Sequence, residues 1–256
     1  MENPFNLANT IVEKASELIL KNHNNIRKIS YKSSKSNLVT NVDHEVENLV
    51  LKEIIKKYPD HSIIAEESGK HKKNPRYKWF IDPIDGTTNF AHGYPFFCIS
   101  IAFAEAGEVK FGLVKNPITD ELFSAVKNKG AKLNGKNIKV SKIKTLSESL
   151  LATGFPYDKK DSRASNLKNF CKLTLLSHGV RRDGAAALDL CYTACGRVDG
   201  FWEIKLSPWD VAAGVLIVQE AGGKVTDFQG NKYDIFTDKI VSTNSLIHKE
   251  LLKHLK

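Results

Sequence analysis

The chain has 256 residues, 41% hydrophobic and 26% charged, an ordinary globular composition that excludes a fibre or a disordered chain. Lys plus Arg number 38 and Asp plus Glu 29, a formal charge of +9, which permits anionic partners such as nucleic acid or phosphorylated metabolites without selecting one. No apolar run approaches the roughly 18 residues that span a bilayer, and the four cysteines, Cys98, Cys171, Cys191 and Cys195, form no CxxC pair, which fits a reducing cytoplasm.

The first residues, Met1-Glu2-Asn3-Pro4-Phe5-Asn6, lack a charged head followed by an apolar core, so no signal peptide is expected. Leu7, Ile11, Ala15, Leu18 and Ile19 follow helical spacing and predict an amphipathic helix over about 6–22. The polar stretch 28–41, rich in Lys and Ser, reads as an exposed loop. Val46, Leu49, Val50, Ile54 and Tyr58 mark a second helix, opened by Asp43 and stopped by Pro59. The period then changes. Ser62-Ile63-Ile64-Ala65 and Lys78-Trp79-Phe80-Ile81 are short, β-like and run into acidic residues. Residues 97–104 and 108–115 predict a hairpin turning at Ala106-Gly107. Asn134-Gly135 marks another turn among short strands that reach Val140.

A soft boundary lies near 142–148. Beyond it Ser149 to Gly154 reads as a strand, and Gly184 to Cys195 as a helix ended by Gly196. Trp209 to Ala221 reads as a helix, with Pro208 before it and Gly222-Gly223 after it. Strands and helices mix throughout, so the class is α/β or α+β in layers. The expected organisation is a single domain, 1–256, of two halves, about 1–145 and 146–256, joined without a free linker.

The chemistry concentrates in Trp79-Phe80-Ile81-Asp82-Pro83-Ile84-Asp85-Gly86-Thr87-Thr88-Asn89-Phe90. A strand delivers Asp82, Pro83 leaves the ladder, and Asp85 follows on a tight turn. Two carboxylates so placed can converge on one hard cation, and Mg²⁺ prefers oxygen ligands. The turn leaves the N–H groups of Gly86 and Thr87 at a helix N-terminus, a ready anion site. Taken alone, Asp, Pro and Gly are also plain turn residues. Two further acidic places shift the balance: Glu66-Glu67 after an apolar strand, and Asp210 in Leu206-Ser207-Pro208-Trp209-Asp210.

Glu66-Glu67, the Asp82–Phe90 segment and Trp209-Asp210 together resemble the inositol monophosphatase family, Mg²⁺-dependent, lithium-sensitive phosphomonoesterases. The resemblance runs from Leu38 to Gly223 and implies the layered αβαβα sandwich of the sugar-phosphatase superfamily. It implies that Glu66, Asp82 and the carbonyl of Ile84 hold one Mg²⁺, and that Asp82, Asp85 and Asp210 hold a second. A third, weaker ion would sit near Glu66, and Mn²⁺ could substitute. Thr87, oriented by Asp43, would help deprotonate the attacking water, with Glu66 also in the catalytic set. Gly86, Thr87 and Thr88 would hold the phosphate. Asp85, Gly184, Ala186 and Glu203 would select the substrate, and Gly154-Phe155-Pro156-Tyr157 would form another rim. Lys32-Ser33-Ser34 matches a mobile, metal-sensitive loop of the family. Asp183 departs from it, because a neutral or apolar residue is commoner there.

The implied activity is hydrolysis of myo-inositol 1-phosphate and related polyol or sugar phosphates by metal-activated water. Relatives acting on fructose 1,6-bisphosphate, histidinol phosphate or a nucleotide 3′-phosphate share the catalytic residues. The rival of another class is an RNA- or transcription-machinery-associated factor, which the charge permits but does not support. A homodimer is implied by resemblance only, and no membrane partner is expected. His92 reads as structural or at the rim, and Trp209 as packing under the site.

Overall fold

The computed structural model describes residues 3–23, 29–31, 38–156 and 166–255. Helix α1, Pro4–Asn22, starts where the Asn3 side chain accepts from the Phe5 N–H at 2.9 Å, with Pro4 at a first-turn position that needs no N–H partner. The expected loop over 28–41 is corrected: β1, Ile29–Tyr31, and β2, Leu38–Thr40, pair antiparallel. Polar composition hid this pair, because the hydrogen bonds of a two-stranded ribbon come from backbone and need no apolar face. Helix α2, Asn41–Lys57, is opened by Thr40 rather than Asp43. Asp43 is its third residue, and its Oδ2 accepts from the Thr40 N–H at 2.8 Å in a capping box.

Next come β3, His61–Ala65, β4, Gly69–His71, and β5, Asn74–Asp85, the last starting four residues before the predicted Lys78. A five-residue helix, α3, Thr87–Ala91, follows. The predicted hairpin is present as β6, Cys98–Glu105, and β7, Glu108–Asn116, turning on left-handed Ala106 and Gly107. Then β8, Glu121–Val126, β9, Ala131–Leu133, and β10, Lys136–Asn137, complete an eight-stranded sheet of order β10-β9-β8-β7-β6-β5-β3-β4. The Asn134-Gly135 turn joins β9 and β10, both residues with positive φ.

The second sheet begins with β11, Leu150–Thr153. Helix α4, Leu167–Leu176, and β12, Gly179–Arg181, precede helix α5, Ala186–Ala194. The helix expected from Gly184 begins two residues later, because Gly184 has φ +91° and cannot be helical. Then come β13, Gly200–Ile204, α6, Pro208–Glu220, β14, Lys224–Thr226, β15, Lys239–Thr243, and α7, His248–Leu252. The sheet order is β12-β11-β13-β15-β14.

Side-chain alternation along the strands builds the layers. Ile63, Ala65, Trp79, Ile81, Ile101 and Leu113 pack under α1 and α2. Their neighbours Ile64, Phe80, Ala102 and Val114 face the other way, onto α5 and α6. Those two helices also receive Ala152, Phe201 and Ile240 from the second sheet. The far face of that sheet, Leu151, Trp202 and Val241, packs with Leu173 of α4 and Leu251 of α7. The order is helix, sheet, helix, sheet, helix, as the resemblance implied. The segment 142–148 is pinned to the second half: the Ile143 carbonyl accepts from Asn244 Nδ2 at 2.8 Å, and the Leu146 N–H donates to Glu250 Oε2 at 3.0 Å.

Candidate active site

On β6, Ser100 pairs with Asp82 and Cys98 with Asp85. Between these pairs Pro83 and Ile84 stand opposite Ile99 alone, so β5 carries one extra residue, a bulge. Pro83 has no N–H for the ladder, which places the irregularity there. In a regular strand, residues three apart point to opposite faces. The extra residue returns Asp82 and Asp85 to one side, and both line the same cavity. The strand then ends at Gly86, whose φ of +91° suits glycine and where a Cβ would lie 3.0 Å from the Phe96 carbonyl.

The other acids reach this cavity from their own elements. Glu66 follows β3. Its turn is held by Glu47 of α2, which is buried and accepts from the Glu67 N–H at 2.8 Å and the Ser68 N–H at 2.7 Å. Asp210 is the third residue of α6, and its Oδ2 accepts from the Ser207 N–H at 2.7 Å. That capping box turns the carboxylate toward the helix start and the cavity. Asp85 Oδ2 accepts from the Ala187 N–H, in the first turn of α5, at 2.7 Å. Thr87 Oγ1 lies 2.9 Å from Asp43 Oδ1 and 3.0 Å from the Ile84 carbonyl. Asp43 Oδ2 is engaged by the Thr40 N–H and hydroxyl, which leaves Oδ1 for Thr87.

The cavity, about 460 Å³, is lined by Glu66, Asp82, Ile84, Asp85, Gly86 and Thr87 from the first half and by Gly154, Gly184, Ala186, Glu203 and Asp210 from the second. Phe155, Pro156, Arg182, Lys205 and Trp209 complete most of its rim. Crowded carboxylates hold one another's protons. Burial raises Asp82 well above the usual carboxylate range, and the Glu66, Asp85 and Asp210 charges raise it further. Asp210 is pushed up by burial and by Asp85 and Glu66. Burial lifts Asp85 to about 7, against the Ala187 N–H that favours its charged form. Glu203 rises to about 8, through burial and then the Asp210 and Asp85 charges. Asp43 is raised chiefly by burial.

This donor set fits a divalent cation. Asp82 Oδ1 is buried with no hydrogen-bond partner among the described residues, a costly state for a carboxylate unless a cation meets it. The donors are all oxygen, the preference of a hard ion such as Mg²⁺. Among the described residues no three His, Cys, Asp or Glu side chains are grouped so as to hold a metal ion as they stand. The four carboxylates line an open cleft.

Asp43 stands behind Thr87 rather than on the cavity wall, and Thr88, Glu67 and Asp183 do not line it either. Asp183 is half-buried, and its backbone carbonyl accepts from Asn89 Nδ2 at 2.7 Å. His92 is exposed and off the cavity. Trp209 both lines the cavity and packs against the core between the sheets. Lys32-Ser33-Ser34 and Tyr157 lie outside the described residues. Sequence reasoning passed over Glu47 and Asn89. Glu47 was legible as an acid one helical turn after Asp43, on a face that carries Val46 and Val50. Asn89 ties the central segment to both Phe96 and Asp183, and nothing local signalled that.

Residues 1–256 match the profile of the Inositol monophosphatase family. An inositol-1-monophosphatase of Synechocystis sp. is 46% identical over 232 residues, 90% of this chain and 80% of that relative. A protein of Vibrio cholerae called Nus factor SuhB is 42% identical over 254 residues, 98% of this chain and 95% of the relative. The solved inositol monophosphatase from Anabaena (Nostoc) sp. superimposes with a TM-score of 0.89 at 44% identity, covering 97% of this chain and 93% of that one. The chain belongs to the inositol monophosphatase family, and it is a phosphatase.

Proposed function

We propose that this phosphatase uses Mg²⁺ to hydrolyse myo-inositol 1-phosphate and related polyol and sugar phosphates by in-line attack of water. Glu66, Asp82 and the Ile84 carbonyl would hold one ion, and Asp82, Asp85 and Asp210 a second, with a weaker third near Glu66 and Mn²⁺ as a substitute. Bound there, divalent cations supply the Lewis acidity that acidifies water and neutralises a leaving oxygen. Thr87 Oγ1 takes the water's proton while its own moves to Asp43 Oδ1, 2.9 Å away. Burial makes Asp43 a better proton acceptor than an exposed carboxylate. The Gly86 and Thr87 N–H groups, on the cavity wall, hold the phosphate oxygens at the start of α3, and Thr88, off that wall, drops out of the phosphate set. Asp85 and Glu203 accept from substrate hydroxyls, and Gly184 and Ala186 shape the wall.

The reading rests on one observation: Glu66, Asp82, Asp85 and Asp210, brought from three separate elements, line a single cavity beside the Gly86 turn. Both halves build that cavity, so they act as one unit. A panel of phosphate esters assayed with and without Mg²⁺ tests it. Metal-dependent turnover with inositol 1-phosphate among the best substrates is expected. Faster turnover of fructose 1,6-bisphosphate, histidinol phosphate or a nucleotide 3′-phosphate would replace the substrate, and turnover indifferent to chelators would remove the cofactor. A homodimer, lithium inhibition and a cytoplasmic location belong to the same proposal. No helix among the described residues is long and apolar enough to cross a membrane.

The likeness to a Nus factor favours a second role beside catalysis, as a factor bound to the transcription machinery, which the +9 charge permits. Pull-down against ribonucleoprotein partners at two salt concentrations tests this, since a phosphate-driven interaction weakens steeply with salt.

A further inference from the structure

One part of the cavity wall is made by two neighbouring strand ends. Thr153 ends β11 beside Trp202 of β13, and its hydroxyl donates to the Trp202 carbonyl at 2.6 Å. Gly154 and Glu203 are the next residues along each strand. The Glu203 carboxylate lies directly against Gly154: a Cβ there would stand 2.1 Å from Oε1 and 2.3 Å from Oε2. Gly154 is not among the residues with positive φ, so glycine is needed here for space and not for a turn. The Glu203 residue is 8% exposed, and it lines the cavity.

Behind this pair sits Asn166, 1% exposed and off the cavity wall. Its Nδ2 donates to Thr153 Oγ1 at 2.7 Å and to the Gly154 carbonyl at 2.8 Å. Its Oδ1 accepts from Trp202 Nε1 at 2.8 Å and Asn169 Nδ2 at 3.3 Å. Both donors and both lone pairs of the amide are used, and they bridge the residues that present Gly154 and Glu203.

We propose that Gly154 and Asn166 set the substrate preference of this pocket by fixing where the Glu203 carboxylate stands. Gly154 supplies the space and Asn166 holds the glycine in register. Neither touches a reacting group, so Asn166 is a positioning residue. The proposal rests on the reading that Glu203 receives substrate hydroxyls. It extends that reading to Asn166, and it gives Gly154, which the resemblance names only as part of a rim, the task of placing Glu203.

The test measures kcat and KM of the full-length protein with Mg²⁺, on myo-inositol 1-phosphate and on an aryl phosphate without ring hydroxyls. Gly154→Ala is expected to lower the polyol-to-aryl ratio of kcat/KM by about tenfold, the usual worth of one displaced recognition contact, with the loss in KM for the polyol ester. Asn166→Asp, which keeps the acceptor for Trp202 but loses the donors to both Thr153 Oγ1 and the Gly154 carbonyl, should shift the ratio the same way. In a Glu203→Gln background, Gly154→Ala should add little. Equal losses on both esters, or an unchanged ratio, would overturn the proposal. Thermal unfolding shows which variants are folded, and should Asn166→Asp not fold, Gly154→Ala alone decides. If the wild type ignores inositol 1-phosphate yet hydrolyses another hydroxyl-bearing ester, the substrate reading fails, while the ratio taken with that ester still judges Gly154.

Discussion

Thr87 Oγ1 sits 2.9 Å from Asp43 Oδ1 across 44 residues of chain. The pair joins the start of α3 to the start of α2, and the same carboxylate closes the cap of α2 through its other oxygen. Asp43 therefore has a structural oxygen and a chemical one. Asp43→Asn keeps an acceptor for the Thr40 N–H but loses the proton sink behind Thr87. A fall in kcat of about 10²–10⁴-fold is expected, the range for a lost general base, with KM little changed. Phosphate-release kinetics check it, and a kcat within twofold of wild type would exclude this proton route.

The cavity carboxylates give the metal-free protein a defined pH response. Asp85 moves from 3.8 unfolded to about 7 folded, and Glu203 from 4.5 to about 8. Between those values the folded state binds more protons than the unfolded one, so these groups make stability fall as pH rises from about 4 to 8. Mg²⁺ competes with the same protons. Its stabilisation of the protein should therefore be larger at pH 8 than at pH 5, and each kcal/mol should appear as a rise of about 2–4 °C in melting midpoint. Asp85→Asn should abolish turnover while raising the metal-free midpoint at pH 8, because it removes a repelled buried charge. Differential scanning fluorimetry with and without Mg²⁺ measures both, and an equal metal effect at the two pH values would contradict the assignment.

Glu47 holds the Glu66 turn from the same helix that carries Asp43. Glu47→Gln keeps the shape but offers an NH₂ group to one of the two backbone N–H donors. Loosening the support of a ligand usually costs about 10–100-fold in metal affinity. The Mg²⁺ concentration for half-maximal rate should rise by that order, and the rate at saturating Mg²⁺ should recover most of its value. A metal-titration curve superimposable on wild type would remove Glu47 from this role.

His248 titrates the other way and far from the site. It is buried between Thr226 Oγ1 at 2.9 Å from Nε2 and Thr243 Oγ1 at 2.9 Å from Nδ1. Thr226 gives its proton to the Asp227 carbonyl, so Nε2 carries the hydrogen and Nδ1 accepts from Thr243. Burial, helped by Lys224, lowers the pKa from 6.5 to about 4. The unfolded chain then binds the extra proton between those values, and this contribution to stability, about 3 kcal/mol at most, is lost as pH falls from 6.5 to 4. His248→Asn should be less stable than wild type at pH 7, with the difference shrinking toward pH 4. Urea unfolding at the two pH values tests it, and a gap that widens in acid would contradict the neutral tautomer.

Much of the scaffold is legible in the sequence itself. The 6–22 helix, the Ala106-Gly107 hairpin and the α6 helix, expected from Trp209 and starting one residue earlier at Pro208, all depend on neighbours in the chain: apolar spacing, turn residues with positive φ, and Pro where no N–H is needed. The central acids were readable for the same reason, since Asp82, Pro83, Asp85 and Gly86 write their own bulge and turn. Boundaries were harder. Asp43 looked like a helix opener because capping boxes put an acid three residues inside the helix, and the Thr40 cap lay in a stretch that polarity marked as loop.

Local sequence could not decide convergence. That Glu66, Asp85, Glu203 and Asp210 share one cavity follows from strand order and from α6 lying between two sheets. Glu47 behind the Glu66 turn, and Asn166 behind Gly154, are contacts between elements distant in the chain. Chain neighbours govern φ, ψ and caps, so those patterns survive in a string of letters. A shared electrostatic field or a carboxylate resting on a glycine depends on packing distances that no local pattern encodes.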